Sequence, residues 1–175
     1  IVDTVFKALT PAIPERAIAG HHADLVCGML NGINPKTNEF YIAFIGPTGG
    51  GWGAKQSQDG VSATVCINDG DTHNSPAEQL ETKYPLLIES YSLREDSGGA
   101  GEYRGGLGCE NTVQARADLM LNAQVDRMHC KPWGLNGGKE AAGNAVVLRA
   151  NGEWKEDYPN AKLLTARIKQ GDAFA

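Results

Sequence analysis

Basic clusters are missing from this sequence. Its 16 lysines and arginines are scattered among 21 acidic residues, for a formal net charge of −5. A nucleic-acid surface needs cations gathered on one face, so DNA and RNA are not expected partners. An acidic metabolite needs only one or two local arginines and stays open. Long hydrophobic runs are missing too, and no window approaches the ~18 apolar residues of a membrane span. No signal-peptide pattern stands at the start. Cysteine is sparse: Cys27, Cys66, Cys109 and Cys130 form no C-x-x-C pair, which argues against a zinc knuckle. A secreted disulfide framework is normally shorter and denser in cysteine, so the expectation is four reduced, mostly buried thiols in a cytoplasmic protein. Cys130 adjoins His129, but sequence neighbours on a strand face opposite ways and make a poor nucleophile–base pair.

What is present is an ordinary globular balance: 175 residues, 41% hydrophobic and 21% charged, enough to bury one core. Ile1, Val5 and Leu9 are spaced as the apolar stripe of a helix that stops near Pro11. A chain that opens in mid-helix without methionine, and stops at IKQGDAFA, reads as a piece of something longer. EFYIAFI (39–45) and SATVCI (62–67) look like strands. In NSPAEQLETKYP, Ser75 is the expected N-cap, Pro76 the first helical residue and Glu78 the partner in a capping box, with Pro85 stopping the helix. Beyond Pro85 the character is β: LLIESYSL, CENTVQARA, LMLNAQVDRM, NAVVLRANGEW and AKLLTARI, with Asn151-Gly152 marking a tight hairpin. The expected fold is therefore α+β, with two short helices and a mainly antiparallel second half.

Four stretches are candidates for chemistry. DSGGAGEYRGGLG (96–108) resembles a phosphate cradle but lacks the lysine and following Ser or Thr of a Walker A loop. Gly99, Gly101 and Gly105 give G-x-G-x-x-x-G rather than the dinucleotide fingerprint, and a strand follows instead of a helix. On the residues alone, these glycines supply positive φ in successive turns while Arg104 pairs a carboxylate. NDGDTHN gathers Asp69, Asp71, His73 and Asn74 before a helix, where they either hold a ligand or serve Asx turns and capping. GHHAD places His21, His22 and Asp24 together, either as metal ligands or as hydrogen-bonded histidines near a turn. GPTGGGWGA offers backbone N–H groups to an anion, or lets the chain pass close to a partner.

Taken in order, GGGWGAKQSQDG, NSPAEQLETKYP, LREDSGGAGEYRGGLG, KPWGLNGG and QGDAFA resemble the C-terminal region of hydantoinase B/oxoprolinase proteins, across essentially residues 1–175. The resemblance implies one part of a large cytoplasmic B-type subunit, truncated at both ends, in a hetero-oligomer with a hydantoinase A-type partner. Such pairs use ATP with Mg, bound mainly by the partner, to activate a carbonyl or enol oxygen by phosphorylation. The small-molecule substrate is a cyclic amide such as a hydantoin or 5-oxoproline, or a ketone in the acetone and acetophenone carboxylases. A non-catalytic assembly role for this stretch is the alternative of another class. The family's HH-x-D metal block lies upstream of the matching region, so any divalent metal is expected outside this chain. No metal role is carried onto His21, His22 or Asp24. Candidate catalytic residues are Asp71 and His73, the latter titrating near neutrality. Arg104 is the candidate anion partner, with Gly49, Gly50, Gly51 and Gly53 as backbone donors.

Overall fold

The computed structural model describes residues 1–67, 69–70, 72–155, 158 and 160–175. Its α+β architecture has helix α1 (Val2–Leu9), strands β1 (Val26–Asn34) and β2 (Glu39–Thr48), helix α2 (Ala77–Lys83) and strands β3 (Leu86–Leu93), β4 (Cys109–Ala115) and β5 (Leu119–Gln124). β6 (Leu148–Ala150), β7 (Glu153–Lys155), β8 (Lys162–Ile168) and β9 (Ala173–Phe174) complete it. Two antiparallel sheets form, in the orders β2-β1-β5-β8 and β3-β4-β9-β6-β7. The antiparallel character is therefore not confined to the second half, because the β1–β2 hairpin supplies half of the first sheet. Among the described residues no helix is long and apolar enough to cross a membrane.

Period-two alternation sets which face each strand buries. On β2, Tyr41, Ala43 and Ile45 turn inward while Phe40, Ile42 and Phe44 stay exposed. Leu30 and Leu121 pair across β1 and β5, both fully buried. They join Leu86, Val113 and Phe174 of the second sheet in one core cluster. The Asn151-Gly152 hairpin is as expected, with φ of 54° and 82° joining β6 to β7.

Three local expectations need correction. SATVCI does not form a strand; Thr64 makes only an isolated bridge to Gly50, because this segment pairs with loops rather than with a sheet. α2 starts one residue later than the capping box implies. Pro76 occupies the N-cap, its carbonyl accepts from the Gln79 and Leu80 N–H groups, and no side chain caps the end. Of the four free thiols only Cys66 is fully buried; Cys27 and Cys109 are half-buried and Cys130 is exposed.

α1 inverts its expected orientation. Ile1, Val2, Val5 and Leu9 are exposed, whereas Asp3 is buried at 7% exposure. Asp3 and Lys7 lie one turn apart on the face that meets Trp133, with Lys7 Nζ 5.4 Å from the ring centroid. Polar anchoring holds this helix, and its apolar stripe looks outward.

Candidate functional site

The principal cavity has a volume of about 810 Å³. It collects the glycine-rich blocks that the sequence spreads over 90 residues: Gly49 to Ala54, the 97–110 stretch and the 132–145 segment all line it. These segments carry little regular structure, so their backbones must satisfy one another. Trp52 N–H donates to Val61 O at 2.9 Å, Gly106 N–H to Trp52 O at 2.9 Å and Gly105 N–H to Gly99 O at 2.9 Å. Cys109 N–H reaches Gly49 O at 2.8 Å, tying the wall to the start of β4.

The glycines of this wall are needed for proximity, which revises the positive-φ expectation. None of the glycines in 96–108 has positive φ; in that stretch it is Asp96 that does, at 52°. A Cβ on Gly51 would fall onto the Gly106 carbonyl, one on Gly106 onto the Val61 carbonyl, and one on Gly98 onto the Gly105 carbonyl. Main chain lies against main chain here, and any side chain would prise it apart.

A buried polar cluster adjoins the cavity at His22 and Trp133. Arg127 Nη2 donates to Asp3 Oδ2 at 2.5 Å and to His21 O at 2.6 Å, while Nε reaches His22 O at 3.1 Å and Nη1 Cys130 O at 3.1 Å. Asp3 Oδ2 also accepts from Trp133 Nε1 at 3.0 Å, and Oδ1 from the His21 N–H at 3.2 Å. Each nitrogen of the Arg127 guanidinium, and Trp133 Nε1, donates to at least one oxygen, as a buried ion pair requires. The set holds Trp133, whose ring borders the cavity, and fixes the backbone that carries the two histidines.

His21 and His22 are 3% and 6% exposed, with ring centroids 6.0 Å apart. Their tautomers follow from their partners. His21 Nδ1 accepts from the Ala23 N–H at 2.9 Å, leaving the proton on Nε2. His22 Nδ1 faces Gly51 O at 3.4 Å, and a carbonyl only accepts, so this ring is protonated at Nδ1 and carries its lone pair on Nε2. Gly50 has to be glycine for this to occur, since a Cβ there would overlap the His22 ring. Burial pushes both imidazoles below their ordinary value, with Asp3 pulling His21 and Gly51 O and Asp24 pulling His22 the other way. Burial also raises the Asp24 carboxyl, which accepts from Asp126 N–H at 2.8 Å.

The neutral histidines set a pH dependence. In the unfolded chain both titrate at the ordinary 6.5. Below that value the unfolded state takes up protons that the fold resists, so stability is full above 6.5 and falls as the solution is acidified. Asp24 contributes the opposite slope, nearer its ordinary 3.8. Thermal unfolding followed from pH 7.5 to 5.0 should show a declining midpoint, and His22→Gln should make that decline shallower.

The expected site residues are distributed unevenly about the cavity. Gly49, Gly50, Gly51 and Gly53 line it. The N–H groups of Gly49 and Gly50 are engaged with Tyr91 OH and Thr64 O, leaving Gly51 and Gly53 as the candidate donors of the loop. Arg104 is exposed and borders a separate hollow of about 150 Å³; its backbone N–H, rather than its guanidinium, meets the Asp59 carboxylate at 2.8 Å. His73 is exposed and is not among the lining residues, and Asp71 lies outside the described residues. Arg94 does line the cavity, with Nη1 donating to Gly143 O at 2.7 Å. Lys55 and Lys139 also line it, as do Glu102 and Glu110. Arg94 carried no motif of its own, and only its place in LREDSGG hinted at it.

Among the described residues no group of three or more His, Cys, Asp or Glu is placed to hold a metal ion. Asp24 Oδ2 accepts from the Asp126 N–H at 2.8 Å and from Asn144 Nδ2 at 3.4 Å. Cationic side chains do border the cavity, so an anionic group is chemically compatible with it.

Comparison with known proteins agrees with this arrangement of blocks. The sequence model of the family described as hydantoinase B/oxoprolinase matches residues 1–175. An uncharacterized protein of Methanocaldococcus jannaschii is 41% identical over 150 residues, covering 85% of this chain and 25% of that protein. Caprolactamase subunit beta of Pseudomonas jessenii is 39% identical over 179 residues, covering 95% of this chain and 30% of that protein. The crystal structure of the ATP-dependent caprolactamase from that organism superposes with a TM-score of 0.74 at 26% identity, covering 96% of this chain and 30% of that one. Nucleotide-free acetone carboxylase shares the fold, with a TM-score of 0.75 at 21% identity over 91% of this chain and 25% of that one. The chain thus spans between 25% and 30% of the length of these relatives. It belongs to the hydantoinase B/oxoprolinase family.

Proposed function

We propose that this member of the hydantoinase B/oxoprolinase family is the C-terminal region of the B-type subunit of a cytoplasmic, ATP-dependent amidohydrolase. Its substrates are cyclic amides, of the hydantoin, 5-oxoproline or caprolactam kind, and its partner is a hydantoinase A-type subunit. The observation that carries this reading is the 39% identity to caprolactamase subunit beta over 95% of the chain. ATP with Mg, held mainly by the partner, supplies phosphorylation of the amide carbonyl oxygen, which makes the carbon electrophilic toward water.

The residues of this chain bind and orient. Trp52 and Trp133 offer flat apolar faces to a small ring, and the glycine wall admits it close to the backbone. Arg94, with the two lysines, gives the cavity cations for the negative charge of the phosphoryl group that the carbonyl oxygen would receive. His73 and Arg104 stand away from this cavity, and their candidate part is contact with the rest of the assembly.

The test is ATP hydrolysis by the whole complex, with hydantoin, 5-oxoproline, caprolactam, acetone and acetophenone offered in turn. Stimulation by a cyclic amide, with release of the ring-opened amino acid, is the expected result. Stimulation by a ketone that consumes bicarbonate would transfer the subunit to the carboxylases. No stimulation by any of them would remove both enzymatic readings. Within a responsive complex, His73→Ala and Arg104→Ala are expected to alter subunit association while leaving turnover per assembled complex unchanged.

A further inference from the structure

His22 brings together two blocks that the sequence keeps apart. GHHAD supplies the ring, and the glycine loop supplies both the space for it at Gly50 and the carbonyl of Gly51 that orients it. Gly51 O receives the His22 backbone N–H at 3.0 Å as well as facing Nδ1, so the residue is held at two points. Its backbone oxygen is held at a third by Arg127.

This fixing leaves one atom over. His22 Nε2 is buried and has no hydrogen-bond partner among the described residues, although buried polar atoms are nearly always paired. Its neighbour does not serve it: the His21 ring stands edge-on with centroids 6.0 Å away, and His21 Nε2 is itself unpartnered, with Asp3 Oδ1 3.9 Å off. With the proton on Nδ1, His22 Nε2 is an acceptor only. His22 is one of the residues that line the cavity, so a donor brought there can complete it.

We infer that His22 Nε2 accepts the ring N–H of a secondary cyclic amide bound in the cavity, which makes His22 a binding residue that selects N–H-bearing substrates over N-alkylated ones. The inference rests on the cyclic-amide reading above and narrows its substrate class. A site built around an acceptor discriminates strongly, because an N-methyl group leaves the buried lone pair unmatched and takes up its space. Arg94, Lys55 and Lys139 remain for the carbonyl side of the ring, and N–H and C=O of one amide then face opposite kinds of partner.

The test uses the whole complex with caprolactam and N-methylcaprolactam as a matched pair. Wild type should prefer the N–H compound by at least ~100-fold in kcat/KM. His22→Phe should reduce that ratio to within about tenfold, while His22→Gln, whose amide oxygen can accept at a similar reach, should restore part of it. Selective ¹⁵N labelling gives a reading without substitution: the Nε2 resonance of His22 should shift on adding caprolactam and stay in place with the N-methyl compound. Lactam turnover with an unmoved Nε2 signal, or an unchanged ratio in His22→Phe, overturns the inference and leaves the proposed function standing. A moving Nε2 signal without ATP-linked turnover does the reverse. Silence in both readouts removes both.

Discussion

Alanine at position 51 is expected to destabilise the chain by about 3 kcal/mol, the upper end of overpacking costs, and to lower the unfolding midpoint by roughly 10 °C. The added methyl would meet the Gly106 carbonyl, which is main chain and cannot rotate away. Moving it would disturb the Gly106 N–H bond to Trp52 O and, through Val61 O, the bond from Trp52 N–H. The stack of loops would therefore have to separate as a unit. Gly70→Ala is the control: nothing lies within 4 Å of a Cβ there, and the change should stay within about 0.5 kcal/mol. Equal midpoints for the two variants in a thermal melt would show that the wall tolerates side chains and that its glycines are incidental. Ligand affinity should fall with Gly51→Ala as well, since the same atoms shape the cavity.

Arg127→Ala should cost about 3–5 kcal/mol, because it strands a buried carboxylate and removes the donor shared by three backbone oxygens. The Asp3 and Arg127 side chains are only 8% and 14% exposed, so water replaces little of what is lost. Urea titration of Asp3→Asn, Arg127→Ala and the double variant would give the coupling between them. A strongly non-additive cycle is expected, and simple additivity would mean that the two side chains act separately. High salt should affect the pair little, unlike the exposed Lys162–Asp126 pair, which screening should weaken. Loss of Asp3 should also release α1, whose apolar residues face away from this core, and loosen Trp133 at the cavity edge.

Local signals in the sequence were read most successfully where the chain answers to its neighbours. Asn151-Gly152 predicts a two-residue hairpin because both residues tolerate positive φ, and both adopt it. EFYIAFI alternates and forms β2; Pro85 disfavours helix at Tyr84, which is extended, and β3 begins at Leu86. Signals that depend on distant partners misled. The spacing of Ile1, Val5 and Leu9 implies a buried stripe, yet the energetic anchor is Asp3, whose guanidinium partner lies 124 positions along the chain. SATVCI has strand-like composition but meets loop backbone. The GHHAD residues are hydrogen-bonded near a turn, as the local reading expected, but with partners as distant as Gly51, Asp126 and Arg127.

The order of the glycine-rich blocks and the NSPAEQLETKYP helix block by itself determined the family, the α+β class and most strands, because these follow from side-chain periodicity, turn chemistry and a specific residue pattern. It also drew attention to the loops that line the cavity. What those glycines are for was decided only in three dimensions: a positive φ is a property of one residue, whereas room for an opposing carbonyl is a property of two segments. For the same reason Arg104 fell outside the cavity, and Arg94, Trp133 and His22 came to border it. Contacts between backbones leave no mark on the residues beyond the absence of a side chain, and that absence does not say which backbone is near.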